Sequence, residues 1–263
     1  YRAKALGKSR YEMFDISMHA QAVALLQLET DLRHAIERQE FEIHYQPIIA
    51  LKSNRLSGFE ALVRWRHPQR GLVAPGEFIP AAEETGLINP IGWWVLEEAC
   101  RQMVHWQQVF SANPPLLMSV NLSGKQLAQP NVIERVQQIL QKTGVNPNSL
   151  KLEITESSIM ENAEATIAML QQLKALGIQL SIDDFGTGYS SLSYLYRFPV
   201  DTLKIDRSFV NKMDTELEKL ELVRTIATLA WNLGMNVVAE GVENQNQLSH
   251  LKSLGCEYAQ GYL

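Results

Sequence analysis

The feature that most constrains this chain is a set of short alternating runs whose polar residues share one phase and end in a charged or amide group. In "LKLEIT", Leu150, Leu152 and Ile154 share one strand face, and Lys151, Glu153 and Thr155 share the other. In "QLSID", Gln179, Ser181 and Asp183 oppose Leu180 and Ile182. "TLKID" sets Thr202, Lys204 and Asp206 against Leu203 and Ile205. "LLMSVN" carries Leu117, Ser119 and Asn121 in one phase, "GFEALVR" carries Gly58, Glu60, Leu62 and Arg64, and "VVAEG" ends with Glu240. Strands covered by helices on the outside of a closed barrel need an apolar outer phase, so the polar phase faces the axis.

The rest of the chain supplies the helices. Strand patterns at 41–51, 58–65, 116–122, 150–155, 179–183, 202–206, 236–239 and near 257–259 alternate with helical spacing, for example in "AEATIAMLQQLKALG" and "LEKLELVRTIATLAWNLG". Further helices are expected at 19–40, 76–84 and 91–110. The first two strands are separated only by "KSNRLSG" and should pair as an antiparallel hairpin. The expected fold is α/β: a (β/α)8 TIM-like barrel with one antiparallel strand near the N-terminus. An open doubly wound sheet is the alternative, but no Gly-x-Gly-x-x-Gly follows the first strand.

With 263 residues, 46% of them hydrophobic, the chain can build one large core. A net charge of -5 gives no basic field for nucleic acid, so DNA is not an expected partner. No apolar run reaches the ~20 residues of a membrane span, so no membrane contact is expected of this domain. Cys100 and Cys256 have no metal-binding or redox spacing and read as buried thiols of a reducing cytosol.

In a barrel, Glu60, Asn121, Glu153, Asp183, Lys204 and Glu240 converge at the C-terminal mouth, where such folds keep their chemistry. Carboxylates packed this closely call for a cation. Oxygen donors without a histidine cluster suit Mg²⁺ or Mn²⁺ rather than zinc. Asp183 and Asp184 stand together at a strand end and can hold two cations between them, with Asp183 bridging. Gly186 and Gly188 then let the following loop bend.

At these residues the sequence resembles the EAL-domain phosphodiesterases of bacterial cyclic di-GMP signalling. Glu60-Ala61-Leu62 continues to Val63 and Arg64, and "YQPI", "NLS", "LEITES", "DDFGTGYSSL", "LKIDRSFV", "VAEGVE" and "QGYL" follow the family order. The resemblance implies hydrolysis of cyclic di-GMP to linear pGpG by a water activated between two metals, Mg²⁺ or Mn²⁺, with Ca²⁺ inhibitory. It implies Glu60, Asn121, Glu153 and Asp183 as ligands of one metal, and Asp183, Asp184 and Glu240 as ligands of the other. Lys204 matches the essential lysine, so the catalytic set is Lys204, Glu240, Asp183 and Asp184. Gln46, Leu62, Arg64, Glu243 and Gln260 match substrate contacts. Glu156 matches the glutamate that steadies the Asp184–Ser190 loop, and it is expected on a strand end, facing loop amides and the Thr187 or Ser190 hydroxyl. A catalytically silent cyclic di-GMP receptor is the alternative.

"YRAKALGKSRYEMFD", residues 1–15, resembles the end of a GGDEF diguanylate cyclase domain. Residues 16–263 are then the EAL domain, with its C-terminal end truncated, in a longer protein carrying GGDEF and sensor domains upstream. The expected location is the cytoplasm, and a membrane anchor elsewhere in the full-length protein is compatible with it. Family members commonly pair beside the Asp-Asp-Phe-Gly loop, so a homodimer using Leu192, Leu195, Tyr196 and Phe198 is expected.

Overall fold

The hairpin near the N-terminus is the element through which the sheet closes. The computed structural model describes residues 16–110, 113–160, 162–188 and 192–263. In it, β1 (Phe41–Ala50) runs antiparallel to β2 (Arg55–His67). A short strand outside the expected set, β3 (Gly71–Val73), pairs antiparallel with the far end of β2. From β2 the sheet continues in parallel through β4 (Leu117–Asn121), β5 (Leu150–Thr155), β6 (Gln179–Phe185), β7 (Thr202–Ile205), β8 (Asn236–Val242) and β9 (Tyr258–Gly261). Ile49 and Ala50 of β1 then pair antiparallel with Ala259 and Tyr258 of β9. The Leu51 amide adds a bond to the Glu257 carbonyl at 2.8 Å. The strand order returns to its start, so eight strands form a closed barrel and β3 lies outside the ring. That closure rules out the open sheet.

The phases sort as the alternation requires. Leu152, Ile154, Leu180, Ile182, Leu203, Ile205, Val237 and Ala239 are buried outside the barrel wall, in the core shared with helices such as Ala163–Ala175 and Leu217–Asn232. The polar phase forms two rows inside. The lower row is Gly58, Ser119, Lys151, Ser181 and Thr202, each two residues before its strand-mate in the upper row of Glu60, Asn121, Glu153, Asp183 and Lys204, which Glu240 joins at the mouth. At Gly58 a Cβ would meet the Leu117 carbonyl oxygen at 2.2 Å, so β2 approaches β4 closely only because this residue has no side chain.

Several boundaries differ from the sequence expectation. The first helix is Ile16–Arg38, and the next two are Pro75–Thr85 and Ile88–Val109. β7 stops at Ile205, because the Asp206 carboxylate accepts the Ser208 amide at 3.0 Å and caps helix Arg207–Val210. β8 runs on to Val242. In the segment expected to pair two molecules, Leu195 and Phe198 are buried in the chain's own core, which corrects that part of the expectation. Tyr196 is 78% exposed. The Leu192 side chain and the expected 1–15 tail fall outside what the structure describes. Among the described residues, no helix is long and apolar enough to cross a membrane.

Candidate active site

Lys204 stands at the centre of the upper row. Its Nζ lies 2.5 Å from Glu153 Oε2, 2.7 Å from Glu240 Oε1, 3.2 Å from Glu60 Oε2 and 3.2 Å from Asp183 Oδ1. Four strands thus aim carboxylates at one buried ammonium. Burial alone would lower the Lys204 pKa, but the carboxylates of Glu153, Glu60, Asp183 and Glu240 outweigh it and hold the pKa well above the ordinary lysine value. One positive charge does not satisfy them all. Burial pushes Glu153 up to about 8 and Glu240 up to about 7, and Lys204 only partly opposes it. Burial also pushes Glu60 upward, but Lys204 and bonds from Gln260 and Asn121 win and bring it below its usual value. Those bonds run from Asn121 Nδ2 to Glu60 Oε1 at 2.7 Å and from Gln260 Nε2 to Glu60 Oε2 at 2.7 Å. The same Gln260 nitrogen donates to Glu240 Oε1 at 2.9 Å.

Adjacent residues of a flat strand face opposite ways, so Asp183 and Asp184 should not share a site. They do because the strand is distorted there. The pairing of β6 with β7 shifts register between Ile182 and Phe185, and Asp184 has a left-handed φ of 53°. The Asp184 amide donates to Asp183 Oδ1 at 2.9 Å. Its carboxyl is pushed up, first by burial and then by the Asp183 charge. Beyond it Gly186, at φ 94°, donates its amide to Glu156 Oε2 at 2.8 Å. Glu156 is buried, and it opens a short helix, Glu156–Met160, rather than ending a strand. The Thr187 hydroxyl donates to the Asp184 carbonyl at 2.8 Å, not to Glu156, and Ser190 lies outside the described residues.

The donor set fits divalent cations. Glu60, Glu153 and Asp183 each offer a carboxylate oxygen within 4.8 Å of the others, and so do Asp183, Asp184 and Glu240. Asp183 belongs to both groups. Gln260 Oε1 is a buried acceptor without a hydrogen-bond partner among the described residues. All of these donors are oxygens, as Mg²⁺ and Mn²⁺ prefer.

Above the row lies a cavity of about 460 Å³. Of the expected substrate contacts, Gln46, Leu62, Glu243 and Gln260 line it, and Arg64 does not. The Arg64 Nη1 instead donates to the Val63 carbonyl at 2.9 Å. Glu153 and Lys204 are buried and do not line it. Asp206, Arg207 and Tyr262 also line the cavity and were not among the expected site residues. The phase of "TLKID" pointed to Asp206. Arg207 and Tyr262 had no such signal, because they follow the strand ends and their direction is set by the turn.

A closed α/β barrel with two linked carboxylate groups and a buried lysine at its C-terminal mouth defines an acidic barrel protein with room for paired cations. The family model for the EAL domain matches residues 29–263, and the chain belongs to that family. It is 46% identical over 263 residues to the bifunctional diguanylate cyclase/cyclic di-GMP phosphodiesterase MucR of Pseudomonas aeruginosa, covering 100% of this chain and 38% of MucR. It is 40% identical over 263 residues to the cyclic di-GMP phosphodiesterase PdeR of Escherichia coli, covering 100% of this chain and 39% of PdeR. The chain therefore spans under two-fifths of either relative. The solved PaMucR phosphodiesterase in complex with c-di-GMP superposes with a TM-score of 0.86 at 46% identity, over 89% of this chain and 94% of that one.

Proposed function

We propose that this chain is a metal-dependent phosphodiesterase that hydrolyses cyclic di-GMP to linear pGpG. The observation that carries the reading is the pair of carboxylate groups sharing Asp183 beside a buried Lys204. The names of the similar proteins supply the substrate. Glu60, Asn121, Glu153 and Asp183 would hold one cation, and Asp183, Asp184 and Glu240 the other. When bound, two such cations neutralise phosphate charge and activate water.

The chain's own groups do the rest. Lys204 keeps a fixed ammonium among the ligands, where it stabilises charge that develops on the phosphate. Gln260 orients Glu60 and Glu240 by donating to both. Gln46, Leu62 and Glu243 shape the space for the dinucleotide. Glu156 holds the loop that carries Asp184 through the Gly186 amide.

Residues 16–263 are proposed as the EAL domain and residues 1–15 as the end of a GGDEF-like domain, in a longer cytoplasmic signalling protein. The short span relative to MucR, a bifunctional protein by name, supports this. The exposed Tyr196 beside the Asp184 loop supports a homodimer.

Incubation with cyclic di-GMP and Mg²⁺ or Mn²⁺, followed by chromatography, should give pGpG. EDTA should abolish the product, and Ca²⁺ should restore little of it. Full turnover in chelator would remove the cations from the reading. Tight binding of cyclic di-GMP without cleavage would make the chain a receptor.

A further inference from the structure

The lower row of the barrel interior contains a second buried lysine that the reaction as read above does not use. Lys151 is 5% exposed, and its Nζ donates to Thr202 Oγ1 at 2.9 Å. It forms no ion pair with a described carboxylate. The buried Ser119 and Ser181 hydroxyls of the same row have no hydrogen-bond partner among the described residues, so Thr202 alone of the three engages. A buried lysine amino group held by one neutral hydroxyl is costly, and an unbranched apolar side chain would fill the space without that cost. Stability does not explain the lysine.

Its placement does. Lys151 lies two residues before Glu153 on β5, and Thr202 lies two residues before Lys204 on β7, so each pair shares a face. These strands are not neighbours, because β6 runs between them. Two links cross β6 in opposite senses. Lys204 reaches from β7 to Glu153 in the upper row, and Lys151 reaches from β5 to Thr202 in the lower row. We propose that Lys151 and Thr202 are positioning residues, whose buried bond fixes β5 against β7 and so sets where Glu153 meets Lys204 and the cation above them. This rests on the cation reading, and the test separates the two.

Metal-stripped protein is titrated with Mn²⁺ by calorimetry, its melting temperature is recorded, and turnover of cyclic di-GMP is measured with Mn²⁺. Thr202→Val keeps the shape and the lysine but breaks the bond, Thr202→Ser keeps the hydroxyl, and Lys151→Met removes the amino group. Breaking the bond by either Thr202→Val or Lys151→Met should weaken Mn²⁺ binding and lower kcat by about tenfold each, the size usual for partners that orient metal ligands. Thr202→Ser should stay near wild type. The metal-free Lys151→Met protein should melt no lower than wild type, so that activity follows the bond and not the stability. Should Thr202→Val fail to fold with the Lys151 Nζ unpaired, Lys151→Met decides alone. Wild-type Mn²⁺ affinity and kcat in Lys151→Met would overturn the proposal. So would a Thr202→Ser variant as impaired as Thr202→Val, because packing would then explain the loss. A wild-type protein that binds no Mn²⁺ would overturn the cation reading itself, and the brace with it.

Discussion

Glu60 is buried and held by three donors, from Lys204, Gln260 and Asn121. Removing it takes away a proposed cation ligand and leaves those donors facing an empty space. Glu60→Ala should therefore lower kcat by at least ~10²-fold, as expected when preorganised electrostatic stabilisation is lost. Circular dichroism should show the barrel intact, since the residue sits at the mouth. Near-normal turnover at saturating Mg²⁺ would show that Glu60 is not a ligand. Glu156 is a different case, because it belongs to neither carboxylate group and accepts the Gly186 amide. Glu156→Ala should lower kcat by about 10–100-fold and raise the Mg²⁺ needed for half-activation. Glu156→Gln keeps an acceptor oxygen and should fall in between. A metal titration that overlays wild type in both variants would mean that the loop holds Asp184 without this support.

At the scale of elements, the site depends on how closely the strands pack. β2 brings Glu60 next to Ser119 in register with β4, and one step lower Gly58 faces Leu117 with no room for a Cβ. Gly58→Ala would push an atom into the neighbouring backbone, which cannot move aside as a side chain can. Overpacking of this kind costs about 1–3 kcal/mol. Chemical denaturation should detect that loss, with a drop in activity as Glu60 moves away from Lys204. Unchanged stability would mean that β2 and β4 separate freely. The β6 distortion is the opposite device. There the chain accepts a left-handed residue at Asp184, and in return two consecutive carboxylates reach the mouth.

At the scale of the whole molecule, the apolar phase of the barrel and the helices around it make one continuous core. Both cysteines lie in it. Burial, then the neighbouring charge of Glu97, pushes Cys100 up to about 12, and burial followed by Glu257 does the same for Cys256. Only the thiolate reacts quickly. Native protein at pH 8 should therefore release no colour from Ellman's reagent within minutes, and both thiols should react after unfolding in guanidinium. A fast-reacting thiol in the native protein would show that the core opens near it.

The sequence alone determined the phase of each strand, and with it the barrel class and the upper row of Glu60, Asn121, Glu153, Asp183, Lys204 and Glu240. Those are local facts, because a side chain's face follows from a repeat of two residues along its own strand. The family was also legible, from motifs in a fixed order. What the sequence left open depends on contacts between distant segments. The turn of Asp184 toward the mouth needed the register shift against β7. The inward packing of Leu195 and Phe198 needed the core they enter. Arg64 shares a phase with Glu60, yet it does not line the cavity, and its Nη1 bonds the Val63 carbonyl instead. The Lys151–Thr202 bond crosses a whole strand, and no pattern within either strand announces it. Alternation decides which way a residue points, and only the closed sheet decides what stands opposite it.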